Sequence, residues 1–205
     1  MKKNIQLLVL LVLLLGFAKT ASAQMGSKNV IKANLLSPII GSYNFFYERV
    51  TSKKLSVQLG VGFTNTQIQA SSIGTTTSTT TLTGFRINPE LRFYPSDHNQ
   101  APKGFYIAPY ISYQNLTLTL TNNISGINAE GRASLNTFGG GLILGRQWLI
   151  AKVVALDLFM GYGRNAGTLR LDASASANGF TASDFSTSSF NGVGVRFGLS
   201  LGVAF

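Results

Sequence analysis

One histidine, no cysteine and seven acidic residues bound the chemistry open to this chain of 205 residues. Without cysteine there is no disulfide framework, no thiolate metal site and no thiol nucleophile. A Ser-His-acid site needs its histidine between a serine and a carboxylate. The one candidate, His98, sits in Ser96-Asp-His-Asn-Gln-Ala-Pro-Lys103 beside Asp97, and no hydrolase motif surrounds the pair. An exposed turn histidine is the plainer reading. No catalytic, cofactor-binding or metal-ligating residue is expected. Seven other charged residues are more telling: Lys32, Glu48, Arg86, Glu90, Arg92, Asp157 and Arg196. Such carboxylates and cations could act as acid-base pairs, carry protons or ions, or neutralise one another where water is excluded. The choice depends on the elements that carry them.

Those elements read as strands. Val, Ile, Thr, Tyr and Phe gather in runs separated by Ser, Thr, Asn, Asp and Gly, which is strand composition. Within each run large apolar residues alternate with small or polar ones. At the C-terminus Val193, Val195, Phe197, Leu199, Leu201, Val203 and Phe205 oppose Gly192, Gly194, Arg196, Gly198, Ser200, Gly202 and Ala204. Leu55 to Phe63 set odd positions against Ser56, Gln58, Gly60 and Gly62. Phe85, Ile87, Pro89, Leu91 and Phe93 oppose Arg86, Asn88, Glu90 and Arg92. Phe105 to Tyr113, Phe138 to Leu144, Val154 to Tyr162 and Tyr43 to Tyr47 repeat the split, with Ile143 an exception; a first strand over 28–36 carries Lys32 and Asn34 on its polar face. All seven charges fall on the small or polar face.

This face is short of charge for a solvated surface. Charged residues make up 12% of the chain, about half the usual fraction for a soluble domain. The apolar faces are about five residues deep, which suits a tilted strand crossing a hydrocarbon layer. In a lipocalin-like barrel or a sandwich the apolar face would be buried and the polar face solvated. Here the apolar face is expected to meet lipid. An open sheet cannot sit in lipid with unpaired backbone, so the eight strands must close. The expected fold is all-β, an eight-stranded antiparallel up-and-down transmembrane β-barrel.

The N-terminus fits export. Met1-Lys-Lys3 is followed by an apolar run over 5–17 and by Ala21-Ser22-Ala23, the pattern of a cleaved signal peptide. The run is shorter than the roughly 20 residues of a spanning helix. Residues 1–23 are therefore expected to be removed, leaving 24–205 as the barrel domain. Loss of Lys2, Lys3 and Lys19 would take the formal charge from +10 to +7. Connections over 51–54, 96–103 and 149–152 are short, while those over 70–81, 122–131 and 173–188 are longer and polar. That asymmetry is typical of outer-membrane barrels. It puts both mature termini on the periplasmic side and pairs the eighth strand with the first. Above Asn115 the parity breaks: Leu116, Leu118 and Leu120 fall on the inward face, implying a bulge or an extension above the membrane.

Four segments carry a family resemblance: Asn29-Val-Ile-Lys-Ala-Asn34, Pro89-Glu-Leu-Arg-Phe-Tyr-Pro95, Gly104-Phe-Tyr-Ile-Ala-Pro-Tyr110, and the strand ending at Phe205. With these the chain resembles small outer-membrane β-barrels of unknown function of the Bacteroidota type. The resemblance implies fold and location and no activity. It also implies that the terminal strand, with Phe205 as its assembly signal, is read by the barrel-assembly machinery.

An eight-stranded barrel has an interior just wide enough for side chains. The seven charges are therefore expected to form a lumen charge network, with Glu48, Glu90, Arg92 and Asp157 low and Arg86 and Arg196 nearer the loops. The Thr75-Thr-Thr-Ser-Thr-Thr-Thr81 stretch suits a solvated loop or an extended hairpin. Arg49, Lys53, Lys54, Lys103, Arg146 and Lys152 lie near short-turn ends, where they would meet anionic headgroups rather than nucleic acid. Trp148, Tyr43, Tyr94 and Tyr113 fall near strand ends, as interfacial aromatics do. The expected protein is a monomeric, cofactor-free outer-membrane barrel with a side-chain-filled lumen, surrounded by lipid, with an envelope or surface-interaction role and an unknown loop partner. A lipid-modifying enzyme and a narrow solute channel are the alternatives.

Overall fold

The alternation of apolar and polar residues becomes a continuous ring of strands in the computed structural model, which describes residues 28–70, 76–124, 127–177 and 180–205. The strands are β1 (Asn29–Asn34), β2 (Ser42–Val50), β3 (Leu55–Ala70), β4 (Thr76–Phe93), β5 (Gly104–Ile124), β6 (Ile127–Ile150), β7 (Val154–Ala177) and β8 (Phe180–Ala204). Each pairs antiparallel with the next, and β8 pairs with β1 to close the barrel. A short 3-10 turn over Ser37–Ile40 joins β1 to β2. The expected signal peptide lies outside the described residues.

The stagger follows from the register. Starting at Val30, the row of paired residues runs through Glu48, Gln58, Glu90, Tyr110, Gly141, Gly163 and Gly194. Val30 itself pairs on β8 with Ala204, ten residues away from Gly194. A shear of ten over eight strands corresponds to a strand tilt of about 40°, the geometry of a narrow closed barrel.

The expected long loops are mostly strand. Positions 76–81, 122–124, 127–131, 173–177 and 180–188 all belong to β4–β8. Thr favours strands and hydrogen-bonds to Thr or Ser across them, and the pairing continues without a break from the barrel wall to Ile124–Ile127. This corrects the expectation of long irregular connections and favours the extended hairpin for the Thr-rich stretch. It also removes the bulge: β4–β5 and β5–β6 keep one register throughout. The wall is consequently uneven. β1 and β2 span 6 and 9 residues, whereas β5–β8 span 21 to 25. The tall strands project as an open, curved sheet above the low β1–β2 side.

Parity tells where the environment changes. On β2–β7 the uppermost outward aromatics are Tyr43, Phe63, Phe85, Tyr113, Phe138 and Tyr162, each more than a third exposed. The stagger brings them to one band around the barrel. Further up on β3–β7 the outward residues are largely polar, among them Asn65, Thr83, Asn115, Asn136, Arg164 and Thr168, while β8 keeps Val193 and Phe185 outward. The leucines move to the inner face, where Leu82, Leu118, Ala133 and Leu171 lie in one cross-strand row.

Candidate functional site

The lower lumen is built by short outward-apolar strands whose alternate residues must point inward. Lys32 of β1, Glu48 of β2, Glu90 and Arg92 of β4, and Asp157 of β7 are all essentially inaccessible to solvent. Lys32 Nζ donates to Glu48 Oε2 and Asp157 Oδ2, each at 2.8 Å, and to Gln147 Oε1. Arg92 Nη1 donates to Asp157 Oδ2 at 2.8 Å, while its Nη2 donates to Glu90 Oε2 at 3.1 Å. Arg92 Nη1 also lies 3.5 Å from Glu48 Oε2. Two cations and three carboxylates thus share one desolvated cluster. Removing charges from water is costly, and only this dense pairing offsets it.

Neutral groups complete the cluster. Ser56 Oγ donates to Glu48 and Gln58 Nε2 donates to Glu90. Tyr94 Oη donates to Glu48 Oε1 at 2.7 Å, and Tyr106 Oη to Asp157 Oδ1 at 2.9 Å. The Arg92 guanidinium lies 4.2 Å from the Tyr106 ring centroid. Tyr94 therefore does not sit at the membrane interface, contrary to what its place near a strand end implies. It continues the inward parity of Glu90 and Arg92, and its hydroxyl serves a buried carboxylate. Gln147, Gln58 and Ser56 were not among the sequence candidates, although their inward parity was legible.

Aromatic side chains fill the rest. Phe46, Tyr94, Tyr106, Tyr110, Ile143 and Phe159 form one buried group. Phe46 and Phe159 meet edge to face with centroids 6.0 Å apart. The glycines opposite make the room. A Cβ on Gly60 would come within 3.0 Å of the Phe46 ring, and one on Gly198 within 2.5 Å of the Phe159 ring. Ile143, the exception to the alternation, is a fully buried member of this group.

The two remaining charges stand apart, higher in the lumen. Arg196 Nη2 is 3.7 Å from Glu90 Oε1, and its guanidinium lies 4.6 Å from the Tyr110 ring centroid. Arg86 donates from Nε and Nη2 to Gln114 Oε1 at 2.9 and 2.6 Å. No carboxylate reaches Arg86 among the described residues. Arg86 and Arg196 interact electrostatically as like charges.

His98 and Asp97 are exposed in the turn segment after β4. Asp97 binds Lys54, whose ammonium holds the carboxyl below the usual carboxylate range. Arg49 is exposed and donates to Asn29. Arg146 is exposed over the Trp148 ring. Among the described residues no cluster of His, Cys, Asp or Glu could hold a metal ion.

Fold and site together define a closed eight-stranded antiparallel β-barrel with an internally paired, side-chain-filled lower lumen. A family model described as a protein of unknown function (DUF3575) matches residues 8–170, and the chain belongs to that family. No curated protein matches it. Among solved structures it is similar to the crystal structure of CarO from Acinetobacter baumannii, at 12% identity and a TM-score of 0.44, over 87% of this chain and 97% of that one.

Proposed function

We propose that the mature chain is an integral outer-membrane barrel of the small Bacteroidota type, with both termini periplasmic, a plugged lumen and a strand extension held outside the cell. One observation carries this reading: the apolar side of the sheet exchanges faces above the aromatic band. Below the band it points outward, where only lipid would make that favourable. Above it the outer face of β3–β7 is largely polar and the leucines face in, as suits water. The exposed basic residues at the lower turns would meet anionic headgroups.

The role is structural or interactive rather than enzymatic, because the lower carboxylates are all engaged in buried ion pairs and no open acid-base pair faces a substrate among the described residues. Outer-membrane lipid and, during insertion, the barrel-assembly machinery are the partners, and the working unit is a monomer. Phe205 ends the lipid-facing stripe of the closing strand and exchanges backbone hydrogen bonds with Asn29. Its deletion is expected to lower outer-membrane levels in cells, and unchanged levels would remove it as an assembly signal.

The absence of cysteine makes the topology directly testable. On intact cells a membrane-impermeant maleimide should label Thr168→Cys and spare Lys53→Cys until the outer membrane is opened. Recovery of the unaltered protein in the periplasm without detergent, or labelling in the opposite sense, would overturn the reading.

A further inference from the structure

The lower cluster holds three carboxylates against two cations, and the upper lumen adds two cations, Arg86 and Arg196, with no carboxylate of its own among the described residues. Among the described residues Arg86 has only an amide oxygen as hydrogen-bond partner. Arg196 Nη1 is buried without a hydrogen-bond partner among the described residues. Its one carboxylate neighbour, Glu90, already serves Arg92 and Gln58. The lumen as a whole therefore sets four cations against three carboxylates, and the one cation in excess falls in the upper lumen, where an uncompensated charge is costly.

What lies directly above them is apolar. Arg86 belongs to the row Gly62, Arg86, Gln114, Thr137, Gly167 and Phe190. The next inward row up holds Leu116, Leu135 and Leu169, and the one after it Leu82, Leu118 and Leu171. These leucines are only partly covered, and Leu120 and Leu171 remain 42% and 45% exposed. A recess of about 240 Å³ opens beside Leu118, Leu120 and Leu171, with Arg132, Asp172 and Asp184 also on its lining. From Leu116 to Leu120 the inner wall offers roughly 13 Å of apolar length along β5. An apolar face turned inward over two guanidinium groups with one positive charge in excess is complementary to an acid head with a hydrocarbon tail.

Access is provided by the low side of the wall. β1 accompanies β8 only as far as Asn34–Ser200, with one further backbone bond from Leu35 to Leu199. Beyond that the rim is the Ser37–Ile40 turn, whose Ile39 and Ile40 are 79% and 72% exposed. Val193, Val195 and Phe197 on β8 face outward beside this gap and are more than half exposed. The low rim thus places exposed apolar residues of the outer belt next to the open side of the leucine-bearing inner wall.

We infer that the upper lumen binds a fatty acid drawn from the outer leaflet, with its carboxylate on Arg86 and Arg196 and its chain along the inner leucines of β4–β7. The inference rests on the membrane reading above. It does not depend on whether the lower plug conducts.

The test is equilibrium binding of labelled dodecanoate to the full mature chain in lipid nanodiscs, with barrel-free discs subtracted. Saturable binding is expected. It should weaken at least tenfold in Arg86→Gln and in the Leu118→Asn/Leu135→Asn double variant, and dodecanol should bind at least tenfold more weakly than dodecanoate. Variants count only if their heat-modifiable gel band shows a folded barrel. The leucine positions lie in the extension, so the double variant still tests the binding site if Arg86→Gln fails to fold. Binding indistinguishable from barrel-free discs, binding unchanged in the folded variants, or equal binding of dodecanol would overturn the inference. A conductance result in either direction would bear on the plug alone.

Discussion

Arg92 and Asp157, 65 positions apart in the chain, meet across the barrel axis at 2.8 Å with each side chain only 1% exposed. Arg92 is also bonded to Glu90 and lies near Glu48. Its loss would leave carboxylates buried without their shared cation. Breaking a buried pair from one side costs about 3–5 kcal/mol. Arg92→Ala should lower barrel stability by that order, read as a fall in the temperature or urea concentration at which the heat-modifiable band is lost. Arg132→Ala, which removes an exposed pair with Glu130, should cost less than about 1 kcal/mol. Equal effects from the two would show that the cluster does not hold the barrel together.

The second prediction concerns space. A Cβ at Gly145 would run into the Tyr106 ring and hydroxyl, and Tyr106 is pinned by Asp157 and Arg92. Overpacking of this kind costs about 1–3 kcal/mol. Gly145→Ala should therefore destabilise the barrel. Gly131→Ala, where the nearest atom is Leu120 Cβ at 4.0 Å, should be close to neutral by the same assay.

A third prediction checks the membrane boundary on the outer face. Leu142 points outward below the aromatic band and is 57% exposed. Thr168 points outward above it. Arginine on the lipid face near mid-depth costs about 2–4 kcal/mol. Leu142→Arg should reduce stability in lipid by that order, whereas Thr168→Arg should change it little. A similar small effect at both sites would mean that Leu142 does not face hydrocarbon.

Much of this was legible because strand alternation maps directly onto faces. Lys32, Glu48, Glu90, Arg92 and Asp157 could be assigned to one interior from parity alone, since a period of two leaves no other choice once the apolar face is outward. Parity does not reveal depth or reach. Tyr94 is hard to place for that reason: its position past the last paired residue of β4 suggests an interface, while its hydroxyl reaches back to Glu48. The height of the wall was also hidden. Runs such as 76–81 and 180–188 have the polar composition of loops, and only continued pairing with a neighbouring strand makes them strand. The leucines at 116, 118 and 120 were the one local sign, because an apolar residue on the inner face above the belt implies a sheet that has left the membrane.

The central claim is that the lower lumen is closed by side chains paired with one another. Single-channel recording of the purified mature protein in a planar lipid bilayer tests it most directly. Lys32, Glu48, Arg92, Asp157, Tyr94 and Tyr106 fill the interior that eight strands enclose. The expected trace is flat, with no discrete steps above those of protein-free bilayers at either polarity. Stable, reproducible conductance steps from the unaltered protein would contradict the plugged lumen and make the chain a channel.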